Sequence, residues 1–208
     1  MHLKEQGKFL DGYSFRRAGA DDGLAAWRLV NAAGTLDVNS AYFYVLFCTD
    51  FSETCLIAEC SGQPVGVIIG YHPPSQKDTV FCWQVGVMPI HRGKGLALQM
   101  LKAWLDLPSN QAIRWVTATV APENEASKRL FWRLAADLNT TCEVHDHFTE
   151  KHFPKGHAAE PLYRIGPIDR SPMRLSETAE VATRQVSPLA DTRRSRSKTD
   201  EYLRTIRV

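Results

Sequence analysis

Between Thr54 and Leu105 the hydrophobic period of the chain changes once, from about two to about 3.6 residues. Before the change, TCLIAEC, PVGVIIGY and DTVFCWQVGV are runs of β-branched and aromatic residues, separated by SGQ and HPPSQKD. Gly, Pro, Asn, Asp and Ser each favour turns, so these separators predict tight connections and an antiparallel meander of three strands. Pro64 stands where the second strand begins, where its missing N–H matters least. After Met88–Pro89 the text becomes IHRGKGLALQMLKAWLDL, and Leu96, Met100, Leu101, Trp104 and Leu105 recur at intervals of three and four. That spacing predicts a helix with one apolar face, entered through a glycine-rich loop.

The flanking segments extend the pattern. YSFRRA (13–18) reads as a first strand, and AGADDG turns into a helix that carries Ala25, Ala26, Trp27, Leu29 and Val30. After the loop AAGTLDVNS, AYFYVLFCTD (41–50) reads as a second helix. IRWVTATV (113–120) predicts a strand, APENEASKRLFWRLAADL a helix entered through Pro122 and Asn124, and TTCEVH and PLYRIG two last strands around an irregular stretch, DHFTEKHFPKGHAAE. The predicted order is β-α-α-β-β-β-α-β-α-β-β. It implies the α/β class, with a single mixed, mainly antiparallel, twisted sheet and helices on both faces. The predicted organisation is a flexible arm over 1–12, one domain over 13–166, and a Ser/Thr/Arg-rich tail over 167–208. The tail has possible short helical pieces at 175–184 and 200–206.

Charge and cysteine usage narrow the function. The tail holds nine Lys/Arg against six Asp/Glu, and residues 1–166 hold sixteen against seventeen. The domain is therefore no general polyanion binder, and no nucleic-acid partner is expected, although RRSRSK could touch a polyanion. No apolar run reaches about 18 residues, so no membrane helix is expected, and MHLKEQGKF lacks the apolar centre of a signal peptide. Five cysteines, an odd number with no CxxC pair, read as reduced, buried side chains of a cytoplasmic protein. His145-x-His147 lacks a third ligand at a suitable spacing, so no metal is expected.

Two strand-to-helix junctions carry the chemistry. At Arg92-Gly93-Lys94-Gly95-Leu96-Ala97 a strand ends and a helix opens. The first N–H groups of a helix have no internal acceptor, and the positive end of its dipole favours anions. Glycines let the backbone approach a phosphate, and Arg92 and Lys94 add charge. The loop is neither a Walker A sequence nor a dinucleotide fingerprint. The second junction, TVAPENEAS (119–127), could face the same cleft, although Pro and Asn are also ordinary helix-start residues.

These residues resemble the GCN5-related N-acetyltransferase superfamily. Its signature of Gln or Arg, two free positions, Gly, one free position, and Gly or Ala is met by Arg92, Gly95 and Ala97. Its later pattern is met by Asn124, Ser127, Leu130 and, in place of the usual tyrosine, Phe131. The resemblance implies that acetyl-CoA is the cosubstrate, with its pyrophosphate on the backbone N–H groups of residues 92–97 (Arg92, Gly93, Lys94, Gly95, Leu96, Ala97). It implies that strand 83–87 splays from strand 115–119 to admit the pantetheine, with backbone at Val85 and Val87 facing it. A main-chain N–H near Val85 would polarise the acetyl carbonyl, and Asn124, Ser127 and Phe131 would border the cofactor. Phe131 cannot protonate a leaving thiolate, as the family's tyrosine is thought to do.

Four longer segments, 36–51, 67–98, 119–131 and 156–166, resemble the L-2,4-diaminobutyrate acetyltransferase family of ectoine biosynthesis. That resemblance implies acetyl transfer to the 4-amino group of L-2,4-diaminobutyrate by a homodimer. Asp37 and Glu160 would bind the diamine, with Tyr42, Trp83 and His157 lining the pocket. Asp37 could instead cap the following helix, a role open to Ser40 as well, and Trp83 could belong to the core. Period two would turn Cys82 and Gln84 away from Trp83. Direct attack of the amine on the thioester is expected, with Glu160 or Asp37 taking the proton through water. The alternatives are an acetyltransferase for another small amine and, in a different class, a non-catalytic acyl-CoA- or nucleic-acid-binding regulator.

Overall fold

The computed structural model describes residues 12–34 and 36–170. The predicted arm and tail lie almost entirely outside the described residues. In order, the elements are β1 (Tyr13–Arg17), α1 (Gly23–Ala33), α2 (Ala41–Asp50), β2 (Leu56–Cys60), β3 (Gln63–Tyr71), β4 (Thr79–Val87), α3 (Leu96–Leu105), β5 (Trp115–Thr119), α4 (Glu125–Asp137), β6 (Thr141–Phe148) and β7 (Glu160–Gly166). This is the order the sequence predicts. The strands form one sheet, β1-β2-β3-β4-β5-β7-β6. Every pairing is antiparallel except β4 with β5. β6 reaches Phe148, past the predicted TTCEVH, because Phe148 finds a partner in Glu160 beyond a bulge.

Each face of the sheet has its own core. α1 and α2 cover one face through Ala26, Leu29, Val30, Tyr44 and Cys48, against Ile57, Val67 and Ile69. α3 and α4 cover the other through Leu96, Met100, Leu101, Trp104, Leu105, Phe131 and Leu134, against Ile68, Val80, Val116 and Ile165. Burying each large side chain is worth about 1.5–3 kcal/mol, so these stripes hold the helices down. Trp104 is the largest fully buried side chain among the described residues, and its Nε1 donates to the Thr54 carbonyl at 2.7 Å. Gly70 makes room for it: a Cβ there would stand 2.5 Å from Trp104 Cζ2. The compact unit closes at Arg170. Past the predicted domain end at 166, Ile168 is buried and Arg170 Nη2 donates to the Leu105 and Asn110 carbonyls.

Two irregularities of β4 shape the middle of the sheet. Opposite β3, Gln84 pairs with Ile69 but Cys82 pairs with Gly70, so Trp83 is an extra residue, a β-bulge. The alternation therefore slips by one. Val80 and Cys82 face α3, whereas Trp83 packs on Phe43 and Phe47 of α2. Gln84 then faces α2 as well, bonded to Tyr44. The expectation that both neighbours point away from Trp83 holds for Cys82 and fails for Gln84. Second, β4 pairs with β5 only at Thr79, Val80 and Phe81, opposite Trp115, Val116 and Thr117. Beyond Phe81 the two strands part, and the sheet opens in its middle.

Candidate active site

The opening presents unpaired backbone on both walls. Met88 N–H donates to the Val65 carbonyl, on the β3 side. Hydrogen-bonding direction alternates along an antiparallel strand, so Gly86 and Gln84 also face β3. The N–H and C=O groups of Val85 and the N–H of Val87 then face the gap, whereas the Val87 carbonyl is taken by Arg92 Nε. On the other wall, Val120 N–H donates to Pro161 on the β7 side, which turns Thr119 toward the gap. An extended chain with its own amides could lie here as an added strand.

The gap leads to the glycine loop before α3. Gly93 (φ +74°) and Gly95 (φ +76°) are left-handed, a conformation that L side chains seldom adopt, and a Cβ on either would meet nothing within 4 Å. These glycines serve the backbone conformation rather than packing. Among the described residues, no acceptor takes the N–H groups of Gly93, Lys94, Gly95, Leu96, Ala97 or Leu98. Converging donors at a helix start with glycine on its rim form an anion cradle. Arg92 departs from expectation. Its N–H is spent on the Pro89 carbonyl at 3.2 Å, and its guanidinium bonds to the Val87 and Ala33 carbonyls. It anchors the loop to β4 and to the C-terminal end of α1, and Lys94 stands exposed beside it in the cradle. The set of unpaired donors is thus shifted by one residue from the predicted 92–97, taking in Leu98.

At the second junction Asn124 Oδ1 accepts the Ser127 N–H at 3.0 Å, so the side chain caps α4 and the Ser127 amide is used. Phe131 is 3% exposed and belongs to the core, its ring centroid 6.4 Å from that of Tyr163.

The acidic and aromatic residues fall into two groups. On the β4 wall, Ser40 Oγ accepts the Phe43 N–H and caps α2, which leaves the Asp37 side chain exposed and with no partner among the described residues. The Asp37 carbonyl is held by Gln84 Nε2 at 2.6 Å. Trp83, 46% exposed, joins Phe43, Phe47, Tyr71 and Phe81 in one run of rings. Tyr42, at 73% exposed, stands outside that run.

On the opposite wall, Thr119 Oγ1 donates to Glu160 Oε2 at 2.6 Å, tying the start of β7 to the end of β5. His157 Nδ1 lies 2.8 Å from the Ala158 carbonyl, which can only accept, so Nδ1 carries a proton. Its Nε2 faces Glu160 Oε1 at 3.8 Å, and the ring stacks on Phe153. No hydrogen bond or ion pair joins the two groups among the described residues. Gln84, Tyr44 and Thr119 escaped the sequence reading, although a lone amide inside VFCWQVGV was a signal.

Three of the five cysteines are poorly suited as nucleophiles. Burial pushes the Cys48, Cys55 and Cys82 thiols up to about 12, and a buried thiol is a poor nucleophile. Among the described residues no three His, Cys, Asp or Glu side chains gather as metal ligands, and no helix is long and apolar enough to cross a membrane.

A sheet opened between two parallel strands, ending at a cradle of helix-start amides, defines an acyl-CoA-dependent acyltransferase architecture. Residues 25–135 match the acetyltransferase (GNAT) family, and the chain belongs to that family. Within it, relatives 38–44% identical to this chain are named L-2,4-diaminobutyric acid acetyltransferase. The protein of Halalkalibacterium halodurans is 44% identical over 149 residues, 71% of this chain and 78% of that protein. That of Virgibacillus pantothenticus is 43% identical over 152 residues, 73% of this chain and 96% of that protein. The diaminobutyrate acetyltransferase EctA of Paenibacillus lautus, solved with L-2,4-diaminobutyric acid and coenzyme A, is 38% identical. It superposes with a TM-score of 0.72 over 76% of this chain and 96% of that one.

Proposed function

We propose that this chain transfers the acetyl group of acetyl-CoA to the 4-amino group of L-2,4-diaminobutyrate, the acetylation step of ectoine formation. The observation that carries the reading is its 38% identity and shared fold with a protein solved with that amino acid and coenzyme A. The open sheet and the amide cradle support the cosubstrate half independently.

In this reading the pyrophosphate lies on the N–H groups of residues 93–98, and the pantetheine runs along the gap-facing backbone of Val85 and Val87. The acetyl carbonyl accepts from the Val85 N–H. Asp37 and Glu160, on opposite walls, hold the two ammonium groups, with Trp83, Tyr42 and His157 around them. Asn124 and Ser127 flank the carrier at the start of α4. The 4-amino group, whose ordinary pKa is near ~10, must lose a proton before attack. Glu160 accepts it through water, one oxygen being already held by Thr119. The nitrogen then bonds to the carbonyl carbon and gives up its second proton to solvent, the C–S bond breaks, and the thiolate leaves. The raised, buried thiol of Cys82, the cysteine on the strand that lines the gap, favours this single displacement over an acetyl-enzyme. The enzyme works in the cytoplasm as a homodimer.

The test is a substrate panel with the full-length protein, following coenzyme A release and product mass. L-2,4-diaminobutyrate should exceed 1,3-diaminopropane, which lacks the carboxylate, by at least about tenfold in kcat/KM, the ~1.4 kcal/mol of one recognised group. Equal rates on the two would refute the amino acid as substrate and favour a general small-amine acetyltransferase. Gel filtration with light scattering checks the dimer, and a monomeric mass at micromolar concentration would refute it.

A further inference from the structure

Gln84 and Tyr44 close a hydrogen-bonded loop around Val38. The Asn39 N–H donates to Tyr44 Oη at 3.4 Å, the Tyr44 hydroxyl donates to Gln84 Oε1 at 3.0 Å, and Gln84 Nε2 donates to the Asp37 carbonyl at 2.6 Å. The amide orientation is fixed by chemistry: a backbone carbonyl can only accept, so nitrogen must face Asp37. All three bonds run in one direction, an arrangement in which each polarises the next. Both side chains are buried, Tyr44 at 0% and Gln84 at 5% exposed. Neither is therefore placed to meet a solvent-borne amine.

The bulge at Trp83 is what makes this possible. Were Trp83 paired in the ladder like its neighbours, Gln84 would face α3 and its apolar core; because Trp83 bulges out, the amide reaches the segment 36–40 from beneath. That segment carries Asp37, whose own side chain has no partner among the described residues. The clamp grips the main chain on both sides of Val38 and leaves the carboxylate unencumbered. Gln84 also precedes Val85, whose backbone faces the gap, so one stretch of β4 serves the carrier with its main chain and the amine with its side chain.

We propose that Gln84 and Tyr44 are positioning residues for amine recognition, holding the 36–40 segment so that the Asp37 carboxylate meets an ammonium of the substrate. This rests on the reading of Asp37 as an ammonium-binding group. The test compares Gln84→Met, which keeps volume but cannot hydrogen-bond, Tyr44→Phe, which removes one hydroxyl, and Asp37→Asn. KM and kcat for L-2,4-diaminobutyrate and the Kd for coenzyme A are measured for each in the full chain.

Gln84→Met should raise the amine KM about tenfold, with kcat and coenzyme A affinity within about threefold; Tyr44→Phe should move KM the same way by less. In the Asp37→Asn background, Gln84→Met should add less than about twofold, because it acts through Asp37. An unchanged amine KM in Tyr44→Phe and Gln84→Met, with Asp37→Asn impaired, overturns the clamp and leaves the site reading standing. An unchanged KM in Asp37→Asn overturns the site reading itself. A full tenfold effect of Gln84→Met on top of Asp37→Asn, or equal loss of coenzyme A affinity, would also overturn the proposal. Should Gln84→Met not fold, Tyr44→Phe carries the same comparison.

Discussion

Replacing Gly95 by alanine should make the protein lose either stability or cofactor affinity, and the sum is calculable. Gly95 has φ +76° and ψ 6°, and a Cβ there would touch nothing within 4 Å. Packing therefore drops out, and only the left-handed backbone remains, at about 1–2 kcal/mol for an L residue. If the loop keeps its shape, the strain falls on the folded state and lowers Tm by about 2–4 °C per kcal/mol. If the loop relaxes, the free protein is spared, and the N–H groups of 93–98 must be realigned at binding. Coenzyme A affinity then falls about 5- to 30-fold. Differential scanning calorimetry and titration calorimetry with coenzyme A, on the same preparation, measure both parts. Gly95→Asn should sit between glycine and alanine, because asparagine tolerates this region better. A Gly95→Ala protein with unchanged Tm and unchanged affinity would refute the argument that the loop's conformation builds the cradle.

Native protein at pH 8 should react slowly with an alkylating reagent at Cys48, Cys55 and Cys82, whose thiols burial pushes up to about 12. Incubation with labelled acetyl-CoA alone should leave no acetyl on the chain, and retained label would argue for a covalent intermediate. Burial opposes ionisation of Asp22, but hydrogen bonds from Arg16 and the Gly19 amide outweigh it and hold the pKa below 3.8. Its stabilisation is therefore full above about pH 4 and lost as pH falls through the depressed folded value. The Tm deficit of Asp22→Asn should be constant near neutrality and shrink below pH 3.8; a deficit independent of pH would discount the ion pair. Truncation after Arg170 should leave a folded, active unit, whereas truncation after Gly166 removes buried Ile168 and should lower Tm by several degrees, about 2–4 °C for each kcal/mol lost.

The element order was legible in the sequence because each element carries its own period: alternation in PVGVIIGY, threes and fours from Leu96 to Leu105. The anion cradle was legible because glycines beside a helix start leave a compositional mark. The bulge was not. One inserted residue in TVFCWQVGV changes no composition, and the apolar residues around Gln84 suit either face, so strict alternation misplaced Gln84. The engagement of Arg92 was hidden for a related reason. Its charge is visible in sequence, but its engagement by the carbonyls of Val87 and Ala33 depends on α1 ending beside β4, a long-range fact. Phe131 and Asn124 matched a pattern whose spacing is shared by a helix cap and its packing residue, and spacing alone could not separate those roles from contact with a carrier.

The inserted residue at Trp83 means that β4 is read in two frames. Up to Cys82 even-numbered side chains are directed to α3; from Gln84 onward the parity is exchanged. Deletion and substitution at this position are therefore different operations. Exchanging the tryptophan alters one side chain, while excising it would make Cys82 and Gln84 consecutive partners of Gly70 and Ile69, a plain ladder in which the amide keeps its direction and only the aromatic step is lost.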